Sequence, residues 1–247
     1  MTGAEVNLID SPGTSEDVWQ HWIGLACLPI AQFEGIGSAV VIAAHPDDEV
    51  LGVGGTMAQL AAAGVRLRVI AVTDGEGSHP QTDPALMAVR RAAESAAALR
   101  VLQVGPVEVI RLRLPDTGLH RHEEQLVGQL RQLCAGYDLC LAPWEFDGHS
   151  DHEAAGRAAR AACRWVMSYP VWMWHWAVPA DSRVPWRQAR QVPLPGGVAL
   201  KKRAAIRSFV SQLTDRPEEG PVLTPQIVAH FTRPAEVLFG NGAELAK

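Results

Sequence analysis

Between residues 38 and 163, four short apolar runs alternate with four longer segments of helical periodicity. The first run, SAVVIAA (38–44), is rich in β-branched residues, which is typical of a strand buried on both faces of a parallel sheet. The later runs are RLRVIAVTDG, VEVIRLRLPDTG and YDLCLAPW. Four strand–helix units in succession predict an α/β fold, with a mostly parallel sheet covered by helices on both faces.

A polar cluster follows each of the four predicted strands. The clusters are HPDDE (45–49), TDGEGSHP, LPDTG and PWEFDGHSDHE. The carboxyl ends of parallel strands lie along one edge of a sheet, and ligands bind beyond that edge in open α/β sheets. The sequence therefore predicts one functional site at the C-terminal edge of the strands.

The cluster after the first strand places His45, Asp47, Asp48 and Glu49 in one strand-to-helix turn, where the three carboxylates repel one another. His45 and Asp48 are three residues apart, so a turn can direct both side chains to one point. Imidazole and carboxylate are ordinary zinc ligands, and a divalent cation would offset the repulsion. Asp47 would then stay off the metal and accept a proton from water. The alternative is an Asp-rich N-cap of the following helix.

The cluster after the fourth strand places His149, Asp151 and His152 at the start of a helix. A third ligand from this cluster would complete a site with three protein ligands and one position open for water, which is the pattern of catalytic zinc. A second histidine would stabilise an oxyanion, and Asp151 would favour its protonated form. Such a site suits the hydrolysis of an amide or ester. The alternative is a solvated pair of histidines that caps the helix.

The motif AHPDDE, followed by GGT and a helix, and the motif HSDH after the fourth strand resemble those of the PIG-L/LmbE family of metal-dependent N-deacetylases. The resemblance spans roughly residues 38 to 213. It implies a Rossmann-like three-layer sandwich and the removal of an acyl group, usually acetyl, from N-acetylglucosamine-type sugars. It implies Zn²⁺ as the cofactor, although a site of this composition also accepts Fe²⁺ or Co²⁺. The segment GVGGTM lacks the dinucleotide-binding spacing, and no G-x-S-x-G is present.

The resemblance assigns a role to nine residues. The implied metal ligands are His45, Asp48 and His152. The implied catalytic residues are Asp47 as general base, His149 as the group that stabilises the oxyanion or protonates the leaving amine, and Asp151 as the residue that orients and charges His149. The implied substrate-binding residues are Arg91, Asp116 and Glu76. For Arg91 the alternative is a helical pair with Glu94, and for Asp116 it is a turn.

The chain departs from the family pattern at two positions of the second motif. Ser150 stands where proline is usual. Asp147 stands two residues before His149, where some sugar deacetylases of the family have a tyrosine that assists the transition state. That assistance is therefore absent here or is supplied by another residue.

We predict one deacetylase-like domain over residues 1–247. Its parts are an N-terminal arm (1–37) whose first 20 or so residues are flexible or loosely docked, the Rossmann-like core (38–163), a Trp-rich substrate-side segment with a helix (164–213) and a Pro-rich tail that wraps the surface (214–247). Trp172, Trp174 and Trp176 alternate, as on one face of a strand, with His175 on the other face. These indoles fill the core or a subunit interface, or they stack on a sugar ring.

The composition restricts the partners of the chain. A net charge of −5 without a long basic run argues against nucleic acid, and no apolar stretch approaches the ~18 residues of a membrane span. The N-terminus lacks the pattern of a secretory signal. The four cysteines are scattered without a C-x-x-C pair, as in a reducing compartment. We therefore expect a cytoplasmic protein with a small-molecule amidosugar substrate; homo-oligomer formation stays open.

The leading functional hypothesis is a hydrolase that removes an N-acyl group from an N-acetylglucosaminyl or related substrate, by metal-activated water with Asp47 as the base. One alternative is a metal-dependent amidohydrolase or esterase that acts on a non-sugar acyl compound. The other is a catalytically silent module that binds metal or sugar. The presence of Asp47 argues against the silent module, because binding needs no base.

Overall fold

The computed structural model describes residue 9, residues 12–214, residue 216 and residues 220–240, and within these residues it contains one sheet of seven strands. The strands are β1 (Ser38–Ala43), β2 (Arg66–Ala71), β3 (Glu108–Arg111), β4 (Leu139–Pro143), β5 (Val166–Tyr169), β6 (Ala189–Pro193) and β7 (Ala235–Phe239). Their order across the sheet is β3-β2-β1-β4-β5-β7-β6. Strands β1 to β5 are parallel, and β7 pairs antiparallel with β5 and β6. The predicted mostly parallel α/β fold is confirmed.

Helices cover both faces of this sheet. They are α1 (Glu16–Gln20), α2 (Ile23–Ala26), α3 (Asp48–Ala62), α4 (Pro84–Leu102), α5 (Glu123–Leu133), α6 (Ser150–Ala162), α7 (Met173–Trp176), α8 (Gly196–Ile206), α9 (Val210–Leu213) and α10 (Pro225–His230). Val41 of β1 belongs to a core that includes α3, α4 and α8, whereas Ile42 belongs to a core that includes α5 and α6. The sheet is therefore the middle of three layers. None of the helices in the described part of the chain has the length and apolar content that crossing a membrane requires.

The strand order reverses at β1. This strand pairs with β2 on one side and with β4 on the other, so the chain segments that leave β1 and β4 emerge next to each other. The first of these segments contains residues 45–49 and the second contains residues 147–152. Such a switch point forms a crevice at the C-terminal edge of an α/β sheet, and here it brings the two sequence motifs together.

The C-terminal segment forms part of the sheet, which corrects the prediction of a tail that wraps the surface. Strand β7 lies between β5 and β6, and it pairs with β6 from Ala235 to Phe239. Val237, Leu238 and Phe239 are buried. This short apolar run has a neighbour on each side, so its backbone groups and side chains are both satisfied in an inner strand. Residues 215, 217–219 and 241–247 of the predicted tail lie outside the described residues.

The Trp-rich segment is not the predicted strand with alternating faces. Strand β5 ends at Tyr169, and the tryptophans follow in and around the one-turn helix α7. Because helical residues do not alternate between two faces, Trp172 and Trp174 have different surroundings. Trp174 is buried against Trp19 and Trp186 in the core. Trp172 is half-buried and lines a cavity.

The N-terminal arm packs on the body of the protein from residue 12 onward, which corrects the prediction of a loose arm for that part. Trp19 of α1 is fully buried in the core. Glu16, also in α1, forms a hydrogen bond with Nδ1 of His230 at 2.7 Å and an ion pair with Arg233 at 2.6 Å. Helix α1 is thus held against α10 and the residues that follow it. Residues 1–8, 10 and 11 of the predicted arm lie outside the described residues.

Candidate metal and catalytic site

The acidic side chains of the turn between β1 and α3 have separate partners. Oδ2 of Asp48 accepts the backbone N–H of His45 at 2.8 Å, and Oε2 of Glu49 accepts that of Asp47 at 3.1 Å. Glu49 also accepts the hydroxyl group of Ser95 at 2.6 Å. Asp47 precedes α3, but its side chain makes no capping hydrogen bond. The helix-capping alternative therefore leaves the carboxylate of Asp47 without a function.

Four potential ligand atoms of three residues lie close together, and two of them are the carboxylate oxygens of Asp48. Nε2 of His152 lies 3.3 Å from Nδ1 of His45 and 3.3 Å from Oδ1 of Asp48. Nδ1 of His45 lies 3.6 Å from Oδ2 of Asp48. A tetrahedral zinc ion with bonds of about 2.0–2.1 Å separates its nitrogen and oxygen ligands by about 3.3–3.4 Å. All three residues are buried. Both the donor types and their spacing fit a divalent ion.

The charge of this cluster also fits a cation. Burial by itself lowers the pKa of His45, but Asp116, Asp151 and Asp48 raise that pKa well above its ordinary value. The pKa of His152 is likewise raised to about 9, against the effect of burial and mainly by Asp48. The carboxylates thus create a negative potential, which would stabilise a bound divalent cation.

Two other groups of residues could share a metal ion. Ligand atoms of His45, His149 and His152 lie within 4.8 Å of one another, and so do those of His45, Asp116 and Asp151. His45 belongs to both groups. His45 and His152 lie close to both Asp48 and His149, so Asp48 and His149 are alternative third ligands that an experiment must separate.

Asp47 is paired with Arg91 inside the protein. Oδ2 of Asp47 lies 3.2 Å from Nη2 of Arg91, which also donates to the carbonyl oxygen of Pro46 at 2.8 Å. Nη1 of Arg91 donates to the carbonyl oxygen of Gly75. Burial raises the pKa of Asp47 to about 7, although Arg91 opposes this shift. Arg91 lines the cavity and also contacts the predicted base, so its expected role in substrate binding stays a prediction beside its role in holding the Asp47 carboxylate.

Glu94 does not form the alternative pair with Arg91 that the helical spacing suggested. Its carboxylate contacts Arg90 at 3.3 Å, and it accepts both the backbone N–H and the hydroxyl group of Ser211, at 2.8 and 2.6 Å. Glu94 therefore joins α4 to α9. The guanidinium group of Arg91 remains directed at the site.

His149 has a different orienting partner from the one expected. Its Nδ1 accepts the backbone N–H of Asp151 at 3.2 Å. The carboxylate of Asp151 instead lies 3.3 Å from Nε2 of His45 and accepts the N–H groups of Thr117 and Leu119. Burial and the neighbouring histidines lower the pKa of His149 to about 3. His149 is therefore neutral and carries its proton on Nε2.

Asp116 and Glu76 act together at the edge of the site. Oδ1 of Asp116 lies 3.2 Å from Nε2 of His45, and Oδ2 accepts the N–H of Gly77 at 2.8 Å. Glu76 accepts the backbone N–H of Asp116 at 3.0 Å. The two loops after β2 and β3 are thereby tied to each other. Asp116 faces the cavity, whereas Glu76 supports the loop that carries it.

Residues 40–163, which are half of the chain, match the protein family described as PIG-L: GlcNAc-PI de-N-acetylase. The chain belongs to this family. The match contains both histidine motifs, and it confirms the family resemblance that the sequence suggested.

Members of the PIG-L family and structures of the same fold resemble the chain to different extents. A diacetylchitobiose deacetylase of Thermococcus kodakarensis is 30% identical over 130 residues, which are 50% of this chain and 48% of that protein. The chain thus spans about half the length of this relative. The structure of an N,N'-diacetylchitobiose deacetylase from Pyrococcus horikoshii has a TM-score of 0.59 at 21% identity, covering 83% of this chain and 82% of that one.

A second solved structure widens the range of chemistry on this fold. The 4-carboxy-2-hydroxymuconate hydratase GalB from Pseudomonas putida KT2440 has a TM-score of 0.61 at 20% identity, covering 80% of this chain and 84% of that one. These structural likenesses establish the fold. The reaction of this PIG-L chain has to be argued from its own side chains.

In this PIG-L chain the site opens into a cavity of about 260 Å³. The three candidate ligands, Asp47 and His149 form its polar side. Trp172, Leu223 and Ile227 form an apolar wall. Leu223 and Ile227 come from the C-terminal segment, where no sequence motif pointed to the site. The structure thus adds an apolar surface to the site that local patterns did not reveal.

Proposed function

We propose that the chain is a metal-dependent N-deacetylase that hydrolyses the N-acetyl group of an N-acetylglucosaminyl or related amidosugar compound. One observation carries this proposal: the buried pair of Asp47 and Arg91 lies in the same cavity as the clustered ligand atoms of His45, Asp48 and His152. Membership of a family described as a de-N-acetylase supports the same reaction.

In this proposal, His45, Asp48 and His152 hold the ion, with Zn²⁺ as the first choice and Fe²⁺ or Co²⁺ as alternatives. When bound, such an ion lowers the pKa of a coordinated water and polarises a carbonyl oxygen. All three of these residues line the same cavity as His149 and Asp47, so an ion held by them would be accessible to a substrate there.

Asp47 and His149 perform the proton chemistry. Asp47 accepts a proton from the attacking water, and a pKa near 7 suits a general base at neutral pH. Arg91 holds the Asp47 carboxylate in place and shares its negative charge. Neutral His149 donates its Nε2–H to the carbonyl oxygen as that oxygen becomes negative. Asp47 then delivers its proton to the leaving amine, which restores the carboxylate.

The substrate side of the proposal rests on the cavity. Asp116 offers a carboxylate to a sugar hydroxyl, and Trp172 offers an indole face to an apolar surface of a sugar ring. The volume of about 260 Å³ suits part of a small molecule rather than a polymer. The four cysteines are free thiols, which is consistent with the reducing cytoplasmic location that we include in the proposal.

A second candidate function is a metal-dependent amidohydrolase or esterase that acts on a non-sugar acyl compound. The apolar wall formed by Trp172, Leu223 and Ile227 favours it, because a sugar alone would leave this surface in contact with water. A silent binding module is disfavoured, since the burial of Asp47 against Arg91 serves no purpose in binding alone.

Acetate release tests the proposal. The purified chain would be incubated with N-acetylglucosamine conjugates, N-acetylated amino acids and aryl acetates, before and after treatment with a chelator and after addition of Zn²⁺, Fe²⁺ or Co²⁺. We expect release from the amidosugars that the chelator abolishes and the metal restores. Release only from the non-sugar compounds would favour the second candidate. Release that survives complete removal of metal would overturn the metal-dependent mechanism.

A further inference from the structure

Asp147 is a completely buried carboxylate between the two parts of the site. It follows β4 and lies two residues before His149, and its exposed fraction is 0%. It is not part of the cavity wall. An ionised carboxylate in such a place is stable only if hydrogen-bond donors surround it.

Four donors surround the carboxylate of Asp147. Oδ1 accepts the backbone N–H groups of Val171 and Met173 at 2.8 and 3.0 Å. Oδ2 accepts the backbone N–H of Trp172 at 2.8 Å and Nδ1 of His152 at 2.7 Å. Two oxygens with two donors each use the whole accepting capacity of a carboxylate. No acceptor position is left for a substrate or for a transition state.

The bond to His152 determines which nitrogen of that ring is free. Because the Asp147 carboxylate accepts from Nδ1 of His152, Nδ1 carries a hydrogen, and Nε2 is the nitrogen whose lone pair a cation can use. Nε2 is the atom that lies 3.3 Å from both Oδ1 of Asp48 and Nδ1 of His45. The carboxylate therefore sets the tautomer and the orientation of a candidate metal ligand.

The hydrogen bonds from residues 171–173 to Asp147 hold part of the cavity wall in position. Val171 and Trp172 line the cavity, and their backbone N–H groups end on Asp147. The indole N–H of Trp176 also donates to the backbone carbonyl oxygen of Asp147, at 2.7 Å.

We propose that Asp147 is a positioning residue that couples metal binding at His152 to the position of the Trp172 wall. The metal half of this inference rests on the proposed function; the structural half does not. The residue occupies the sequence position of a tyrosine in some relatives, but its carboxylate oxygens accept four hydrogen bonds from the protein and do not line the cavity. It orders the two sides of the site instead of contacting the reacting atoms.

The test uses the full-length chain and Asp147→Asn, which has the same shape but puts an amide N–H among the donors. Hydrogen exchange of the amides of residues 171–173, measured without metal, should become at least about tenfold faster, because buried N–H groups lose their acceptor. Zinc affinity, measured by competition with a chromophoric chelator, should weaken by about 10–100-fold. On an active substrate, both KM and kcat should change, since both sides of the site move.

Asp138→Asn is the matched control. Asp138 accepts the backbone N–H groups of Gly37 and Ser38 at 3.0 and 2.8 Å, but it lies at the opposite edge of the sheet. This variant should leave zinc affinity and the exchange of residues 171–173 at their wild-type values. Asp147→Asn with wild-type exchange and wild-type zinc affinity would overturn the inference.

A measurement on the wild-type chain covers the case in which Asp147→Asn does not fold. Coupling is reciprocal, so zinc binding should slow the exchange of the amides of residues 171–173. Zinc that binds without changing their exchange would overturn the coupling. Absence of zinc binding by the wild type would refute the proposed function and the metal half together. Zinc binding with slowed exchange but no acetate release would refute the proposed function alone.

Discussion

At the scale of the residue, the backbone of Asp47 is the unusual point of the site. Its φ is +138° and its ψ is −30°, a conformation that residues other than glycine rarely adopt and that costs about 1–3 kcal/mol. Its N–H is held by Glu49, and its carbonyl oxygen accepts the N–H groups of Val50 and Leu51. The surrounding turn therefore maintains a strained backbone that directs the Asp47 carboxylate to Arg91.

Asp47→Asn tests the general base. Asparagine preserves the shape of the side chain and tolerates positive φ, but it cannot accept the proton from water. We expect kcat for acetate release to fall by about 10²–10⁴-fold, while the zinc content of the protein stays at the wild-type level. Metal analysis of the same preparation is the control. Wild-type kcat in the variant would exclude Asp47 as the base.

His152→Ala and His149→Ala separate the two histidine ligand sets. If His45, Asp48 and His152 hold the ion, His152→Ala loses bound zinc, whereas His149→Ala keeps it and loses activity. Zinc content would be measured after dialysis against trace-metal buffer, with circular dichroism as the check on folding. Full zinc occupancy in His152→Ala, or metal loss in His149→Ala, would contradict this assignment.

At the scale of the element, Glu16 joins α1 to α10 through a hydrogen bond with His230 and to the segment after α10 through an ion pair with Arg233. Burial by itself raises the pKa of Glu16, but hydrogen bonds from His230 and Arg233 lower it from 4.5 to about 2. A carboxyl group with a lower pKa in the folded chain stabilises the fold above its unfolded pKa. That contribution disappears as the pH falls from about 5 to about 2. These contacts fasten the N-terminal segment, which the sequence suggested was loose.

Glu16→Gln should therefore be destabilising at neutral pH. We expect the free energy of unfolding at pH 7 to fall by about 2–3 kcal/mol, and we expect the difference from wild type to shrink between about pH 5 and pH 2. Urea unfolding at several pH values measures both effects. Asp17→Asn, on an exposed position of the same helix, should change stability by less than about 0.5 kcal/mol. A pH-independent difference for Glu16→Gln would show that the contacts of Glu16 do not act as described.

Prediction from the sequence succeeded for elements with local signals and failed for elements without them. Strands β1, β2, β3 and β4 and helices α3, α4, α5 and α6 follow from apolar runs and helical periodicity. Helix α7 could not be predicted in this way, because its alternating tryptophans equally suit a strand. In the structure, Trp174 of this helix packs against Trp19 in the core. The metal-site motifs were visible as spacings, but the contact of the Asp151 carboxylate with His45 was not.

At the scale of the whole molecule, β7 closes the sheet from the far end of the chain. It lies between β5 and β6, and its side chains Val237, Leu238 and Phe239 are buried. Glu236 of the same strand binds Lys202 and the N–H groups of Gly55 and Thr56 in α3. The last described strand thus supports α3, the helix that begins within the HPDDE motif.

Two truncations test this dependence. Burial of each large apolar side chain contributes about 1.5–3 kcal/mol, so the loss of β7 approaches the total stability of about 5–15 kcal/mol. A chain that ends at Arg233 should lose cooperative thermal unfolding. A chain that ends at Gly240 retains every described element and should melt within a few degrees of the full chain. A cooperative, zinc-binding protein ending at Arg233 would contradict the structural importance of β7.

The sequence by itself determined the α/β class, the edge of the sheet at which the site lies, and the family, because periodicity and motif spacing are local properties of the chain. The tertiary structure decided which side-chain and backbone groups contact one another within the site. Asp147 meets Val171 and Met173, and β7 meets β5 and β6, through contacts between distant segments. Such contacts depend on how whole elements pack, and neither composition nor spacing specifies that packing.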